Sequence, residues 1–502
     1  MAARAGVSKR RVSLVPASAS NNVPSLSFME GLFGEEFPDA FASVSQVPKS
    51  HKSILDLPSE LLDVICDHIS KLDIKRLRLA SKSLAVKVDL RIDRVYISPN
   101  RANLNALQRI LEHPRYKHTV RELVWDDAQL EEYPTLDSFR SAVNVDEQTT
   151  MINIEKFIAL INDDYEGGTP EYRALEEDDF FSEDGCLTDF AKGLLLRDDD
   201  QFSRDIIARH ATLYQDEQHI MQQGRDVAGL RHALQNLPNL RRITLTSEVW
   251  RPWNLYPHYD TPYYRSLPPG FRKPSVWPWL GVRPRMTVAQ RDHQDMVISQ
   301  EYIDQLPEDW RGYKIMISTL LETQNSQIEE FIIDSGFEEN GLNALFLVAP
   351  KPLLHQTIAA FRQLPLRRLQ LSWFIEGNDV RFRGIAVSAQ MKQLLTGLPH
   401  LEHLDFNPHF SRRRHQFSMS GVNFIPSDFL PDALMHQLKT FALRNAVIEV
   451  QVLRILITEL RNAESITLDH CPFDGKYMSN LAEGAGWVID ERDKSLRRRV
   501  RA

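Results

Sequence analysis

Cysteine is almost missing from this chain. Three residues in 502, Cys66, Cys186 and Cys471, lie too far apart for a zinc knuckle or a redox Cys-x-x-Cys pair. So sparse and odd a set gives no disulfide framework and fits a reducing compartment, cytoplasmic and/or nuclear. Long apolar runs are missing too: nothing approaches the ~18 predominantly apolar residues of a bilayer-spanning helix, so no membrane association is expected. No Gly-x-Ser-x-Gly, P-loop, Gly-x-Gly-x-x-Gly or His-Glu-x-x-His signature occurs, so the expectation is a chain with no catalytic residues, cofactor or metal. His400 and His403 form a His-x-x-His, but no third ligand lies nearby in the sequence and no zinc site is expected there. An excess of positive charge is also lacking. The formal net charge is −8, which argues against a global nucleic-acid footprint.

What is present is ordinary globular material, with 42% apolar and 25% charged residues. At 502 residues the chain exceeds what one hydrophobic core usually serves, so two or three units are expected. Residues 1–52 show little periodicity and are expected to form a disordered arm. Arg4, Lys9, Arg10 and Arg11, with no acid before Glu30, hint at a mitochondrial presequence, but Gly6 and Pro16 interrupt any amphipathic helix there. Lys9-Arg10-Arg11-Val12-Ser13 fits a basophilic-kinase or nuclear-import signal; such short basic motifs, Arg497-Arg498-Arg499 included, commonly arise by chance.

Beyond residue 98 short apolar segments recur as Leu-x-x-Leu-x-Leu or a close variant. They are Val120–Trp125, Leu240–Leu245, Ile328–Ile333, Leu366–Leu371, Leu401–Phe406, Leu438–Leu443 and Ala463–Leu468. Their alternation suits strands with one buried face. Helically spaced segments precede most of them: Val227–Leu237, Tyr313–Thr323, Leu353–Leu364, Ala389–Leu398 and Val450–Leu460. Leu237-Pro238, Leu364-Pro365 and Leu398-Pro399 punctuate helix into strand, because proline cannot extend the helix and biases its predecessor toward extended geometry. This grammar resembles a degenerate leucine-rich-repeat array over 98–475. The Asn or Cys that regular repeats place after the last apolar slot is met only by Cys471.

Two insertions interrupt the array. The first, 128–226, reads as mostly helical with an acidic stretch from Glu176 to Asp184. The second, 248–312, carries Trp250, Trp253, Trp277 and Trp279 among prolines and tyrosines, and reads as an anchored loop because exposing that much aromatic area is costly. Residues 476–502 are expected to be a tail.

The strongest local signal runs from Ser53 to Leu84. Pro58 suits a first helical turn, with Glu60 favourable for the helix dipole. Leu61, Leu62, Ile65 and Ile69 form one helical stripe, Asp73 is an N-cap candidate for a second helix carrying Ile74 and Leu77, and Ser81 for a third with Leu84 and Val88 inward. A unit of this size buries little. Leu57, Leu61, Leu62, Val64, Ile65, Ile69, Leu77 and Leu79 cannot all point into one small core, so the surplus needs a second surface.

Leu57-Pro58-x-Glu60-Leu61-Leu62, Ile65, Ile69, Asp73-Ile74, Leu77-Arg78-Leu79 and Ser81-Lys82 resemble the F-box, over 53–97. Leu84 stands where many F-boxes carry an aromatic. The rest of the chain is similar to F-box proteins of filamentous fungi with irregular leucine-rich repeats. The resemblance implies an α/β chain with an N-terminal three-helix F-box followed by an irregular leucine-rich-repeat-like solenoid with helical and loop insertions. It implies a non-catalytic substrate receptor of an SCF-type ubiquitin ligase. Leu57, Pro58, Leu61, Leu62, Ile65, Ile69, Leu77 and Leu79 would dock the Skp adaptor, and through it the cullin–RING core. An unknown protein substrate would meet strand positions Arg242, Arg368, Gln370, His403, Asp405 and Arg444, together with Trp250 and Trp253; the three arginines would engage phosphate if they converge. The alternatives are a helical cap on the array, in place of adaptor docking, and a repeat scaffold that binds partners without ubiquitylation.

Overall fold

A computed structural model describes residues 12–16, 54–130, 132–139, 172–175, 200–246, 261–262, 311–324, 327–334, 341–343, 351–375, 385–410, 429–444, 450–460, 462–469, 487–490 and 495–498. The chain divides into two compact units, Met1–Ile92 with Lys156–Thr188, and Asp93–Glu155 with Asp189–Ala502. The boundary falls a few residues before the expected 97, because Arg94–Ile97 is a strand of the second unit.

In the first unit, β1 (Val12–Pro16) pairs antiparallel with β4 (Tyr172–Leu175). This corrects the expectation that the whole of 1–52 is unstructured. The alternation of Val12 and Leu14 is a strand signal, but its partner lies far along the chain, inside the first insertion. A 3-10 turn at Ile54–Asp56 precedes three helices, α1 (Ser59–Asp67), α2 (Lys71–Ala80) and α3 (Lys82–Lys87).

The second unit is α/β, built on one sheet in which eight strands run parallel in strict chain order. They are β2 (Arg94–Ile97), β3 (Glu122–Asp126), β5 (Arg242–Thr246), β6 (Glu330–Asp334), β8 (Arg368–Ile375), β9 (His403–Phe410), β10 (Thr440–Arg444) and β11 (Ser465–Asp469). A short β7 (Leu342–Asn343) adds to β8. Crossover elements include α4 (Arg101–Glu112), α5 (Tyr116–Thr119), α6 (Asp200–Gln222), α7 (Arg225–Asn236), α8 (Arg311–Thr323), α9 (Lys351–Arg362), α10 (Ile385–Thr396), α11 (Asp432–Met435) and α12 (Val450–Glu459). Right-handed crossovers between parallel strands whose order never reverses all fall on one face of the sheet. Accordingly α4, α7, α8, α9 and α10 pack each against the next.

Between helices and sheet lies the core. Leu123, Ile243, Phe331, Leu369, Leu404, Phe441 and Ile466 stand in register across the sheet, and all are buried. Phe331 packs at a tilt against Phe361 from α9, with ring centroids 4.9 Å apart, and meets Tyr313 from α8 edge-on. Burial pushes the Tyr313 phenol well up from its ordinary value, partly offset by its 2.9 Å hydrogen bond with Thr357. At the start of α8, Gly312 sits where a Cβ would lie 2.1 Å from the Asp127 carboxylate, so only glycine allows that approach. Next to it Arg311 pairs with the fully buried Asp226 of α7 at 2.7 Å.

Within the first insertion, expected to be mostly helical, the described residues include the long helix α6. Its flanks, Leu130 and Phe139, pack with Ile206 and Leu213 of α6, and Glu217 accepts a bond from the Leu130 N–H at 2.7 Å. The tail expected over 476–502 is instead partly structured: β12 (Trp487–Asp490) and β13 (Ser495–Arg498) form an antiparallel pair on β11. An open β11 edge would leave its backbone groups unpaired, and β13 takes them up. Strand β2 also lay outside the seven recurring segments, although Ile92, Val95 and Ile97 carry the same spacing.

Candidate functional site

The three helices of the first unit form their own small core. Pro58, with φ −58° and ψ 152°, is the N-cap of α1 rather than a residue of its first turn, and its carbonyl accepts the Leu62 N–H at 3.2 Å. Helix α2 is capped by Ser70, not by Asp73 as its sequence suggests. The Ser70 hydroxyl oxygen accepts the Asp73 N–H at 3.1 Å, and its O–H donates to the Asp73 carboxylate at 2.7 Å. That bond, with Arg76 at 3.2 Å, holds the Asp73 carboxyl below its ordinary value. Ser81 caps α3 as expected, accepting the Ser83 N–H at 3.2 Å. Arg78 donates to the Val88 carbonyl and Lys87 to that of Leu55, tying the end of the block to its beginning.

Inside lie Leu62, Cys66, Ile74, Leu84 and Val88, with Leu55, Leu57, Ile69 and Leu77 partly buried against them. Burial, reinforced by Asp63 and Asp67, pushes the Cys66 thiol up, so this cysteine is an inert core residue.

The stripe expected on α1 splits in two. At about 100° per residue, Leu62, Cys66 and Ile69 share one side, while Leu61, Val64 and Ile65 share another roughly a quarter-turn away. The first set faces the core. The second is open: Leu61 is 51% exposed, Val64 55% and Ile65 37%. Leu62 is therefore corrected from a surface contact to a core residue, and Val64, counted in the apolar surplus but not among the adaptor contacts, joins the open side. The missed signal is helical phase: Val64 stands three residues after Leu61 and beside Ile65. Pro58 is exposed as well, and on α2 Leu79 is 87% exposed among the exposed Lys75, Arg76 and Lys82. Glu60, Asp63 and Asp67 give α1 an exposed acidic side.

The second set of candidates lies on the sheet face away from the helices. Register places them in rows. One row runs Arg94, Glu122, Arg242, Glu330, Arg368, His403, Thr440, Ser465. The next runs Tyr96, Val124, Thr244, Ile332, Gln370, Asp405, Ala442, Thr467. From β2 to β6 this face is self-satisfied. Arg94 bonds Glu122 at 2.7 Å, Thr244 donates to Glu122 at 2.7 Å, and Arg242 pairs with Glu330 at 2.8 Å. Glu122, Val124, Thr244 and Ile332 are buried. From β8 to β11 the face is half-open, with Arg368, Gln370, His403, Thr440, Ser465 and Thr467 all partly exposed.

The three arginines that would engage phosphate if they converged are committed differently. Arg242 is taken by Glu330, and Arg444 by Asp405 at 3.2 Å. Asp405 is itself only 8% exposed, a buried counter-ion rather than an open contact. Arg368 makes no ion pair with any described residue. His403 bonds Thr440 at 2.8 Å, and its imidazole is pushed below its ordinary value by burial first and by Arg368 next. Beside this row Glu402 is held low by Lys439 and Arg367. His400 is exposed in the preceding turn. Trp250 and Trp253 lie outside the described residues.

Among the described residues no group of three or more His, Cys, Asp or Glu is placed to hold a metal ion, and no helix is long and apolar enough to cross a membrane. No family model and no curated protein matches the chain.

Proposed function

We propose that the chain is a substrate-recognition subunit of an SCF-type ubiquitin ligase: its three-helix block is an F-box that docks the Skp adaptor, and its sheet unit is a leucine-rich-repeat-like array that selects a protein for ubiquitylation. The observation that carries this reading is the open stripe Leu61, Val64 and Ile65 on α1. A block whose own core is complete has no internal use for three adjacent exposed aliphatics, and such a patch marks an association surface. Burying a side chain of this size contributes about 1.5–3 kcal/mol, so these three with Pro58 and Leu79 supply enough for a specific complex after association costs. The ordered agreement with the F-box from Leu57 to Lys82 names the partner. The receptor performs no chemistry; it holds the substrate near the ligase core.

Co-purification of the full chain with the Skp adaptor tests the proposal. The adaptor is expected to be retained by the wild-type chain and lost from Leu61→Asp/Ile65→Asp, while amide-exchange protection of α1–α3 stays intact. Retention by that folded variant would overturn the docking claim. Adaptor without cullin in the purified complex would leave a repeat scaffold in place of a ligase receptor.

A further inference from the structure

The polar face of the sheet is chemically unequal along its length. Of the basic residues in its first row, Arg94 and Arg242 are bound to acidic neighbours. Arg368 lies beside Glu330 in register, but that carboxylate is bound to Arg242, and Arg368 makes no ion pair with any described residue. The groups that follow it are also unspent or adaptable: the Gln370 amide, the His403–Thr440 pair, Ser465 and Thr467, each partly exposed. We propose that the strip from β8 to β11 is a docking track for an extended segment of a protein partner, read through a glutamate or aspartate carboxylate gripped by the Arg368 guanidinium.

The geometry suits a peptide. Four strands at about 4.8 Å spacing give a track of about 14 Å, the reach of roughly four extended residues crossing the strands. A planar guanidinium matches a carboxylate with two parallel bonds. A carboxylate is favoured over a phosphate because the strip offers one uncommitted guanidinium, and a dianion would leave a charge unmatched beside the Glu330 and Asp405 carboxylates. The positive field there is felt by the neighbouring ring: burial first, and then Arg368, pushes the His403 imidazole below its ordinary value, so the ring adds no charge of its own at physiological pH. Arg367 and Lys439 lie close by, but both are bound to Glu402.

This deepens the receptor reading by naming the partner's chemistry, yet its test is separate from adaptor docking. Eight-residue peptides with a central glutamate, on randomised polar flanks, are arrayed beside counterparts carrying glutamine or phosphoserine and probed with the full chain. The glutamate set is expected to bind at least about tenfold better than the glutamine set, as a charge-assisted hydrogen bond implies. Arg368→Gln should erase that ratio, Arg368→Lys keep part of it, and Arg231→Gln, on α7 where it pairs with Glu322, leave it unchanged. Equal binding of the glutamate and glutamine sets, survival of the ratio in folded Arg368→Gln, or a stronger phosphoserine signal would each overturn the proposal. Leu61→Asp/Ile65→Asp should leave the peptide ratio untouched; loss of the ratio with adaptor binding retained sinks the track alone and spares the receptor reading.

Discussion

The two units treat their leucines differently. The sheet unit seals them: row after row from Leu123 to Ile466 is buried between strands and helices. The helical block places Leu62, Ile74, Leu84 and Val88 inside and leaves Leu61, Val64, Ile65 and Leu79 in water. Among the described residues of the sheet unit, only Ile455 is a large aliphatic left as open as Ile65. The difference separates a sealed core from a small core with an uncovered apolar side.

That contrast can be broken by substitution. The largest effect is expected from Phe331→Ala, which removes a ring packed between Tyr313 and Phe361; a loss of about 3–5 kcal/mol should appear in urea unfolding of the sheet unit. Leu62→Ala should cost the helical block about 2–5 kcal/mol, seen as lost amide protection across α1–α3 with the sheet unaffected. Gly312→Ala forces a Cβ against Asp127 and should cost about 1–3 kcal/mol, with exchange rising first at the start of α8. Ser70→Ala removes the α2 cap for about 1 kcal/mol. Smallest of all, Leu61→Ala should change stability by less than about 0.5 kcal/mol, since the side chain has no interior to leave. Should Leu61→Ala cost as much as Leu62→Ala, the two faces of α1 would not be distinct.

A pH experiment sharpens the contrast within the sheet. His403 is shifted below its ordinary 6.5 by burial and by Arg368, with Arg367 and Lys439 adding to this and Glu402 opposing it. The unfolded chain therefore takes up this proton first as pH falls, and the native sheet loses stability on acidification below that value. His403→Gln should flatten the decline in unfolding midpoint between about pH 7 and pH 5. An unchanged slope would remove His403 as its source.

Much of the fold is legible in the sequence because two signals coincide. Alternating leucines mark β3, β5, β6 and β8 to β11, and Leu-Pro steps end the helices before β5, β8 and β9. Strands β12 and β13 escaped because four residues carry too little alternation to stand out, whereas β2 carries the recurring spacing in Ile92, Val95 and Ile97 and was legible. On α1, Leu61 and Leu62 read as one stripe because adjacent apolar residues look alike until helical phase separates them. The fates of Arg242 and Arg444 were not legible at all. Each depends on an acid 88 or 39 residues away, reached only once neighbouring strands are in register.

The antiparallel pair on β11 has a consequence for the margin of the sheet. β13 runs against the eight strands and β12 runs with them, so the outermost strand on that side is β12 and not β11. The hairpin takes β11 in the opposite sense to β10, so the parallel run ends at a change of direction rather than at an unpaired edge.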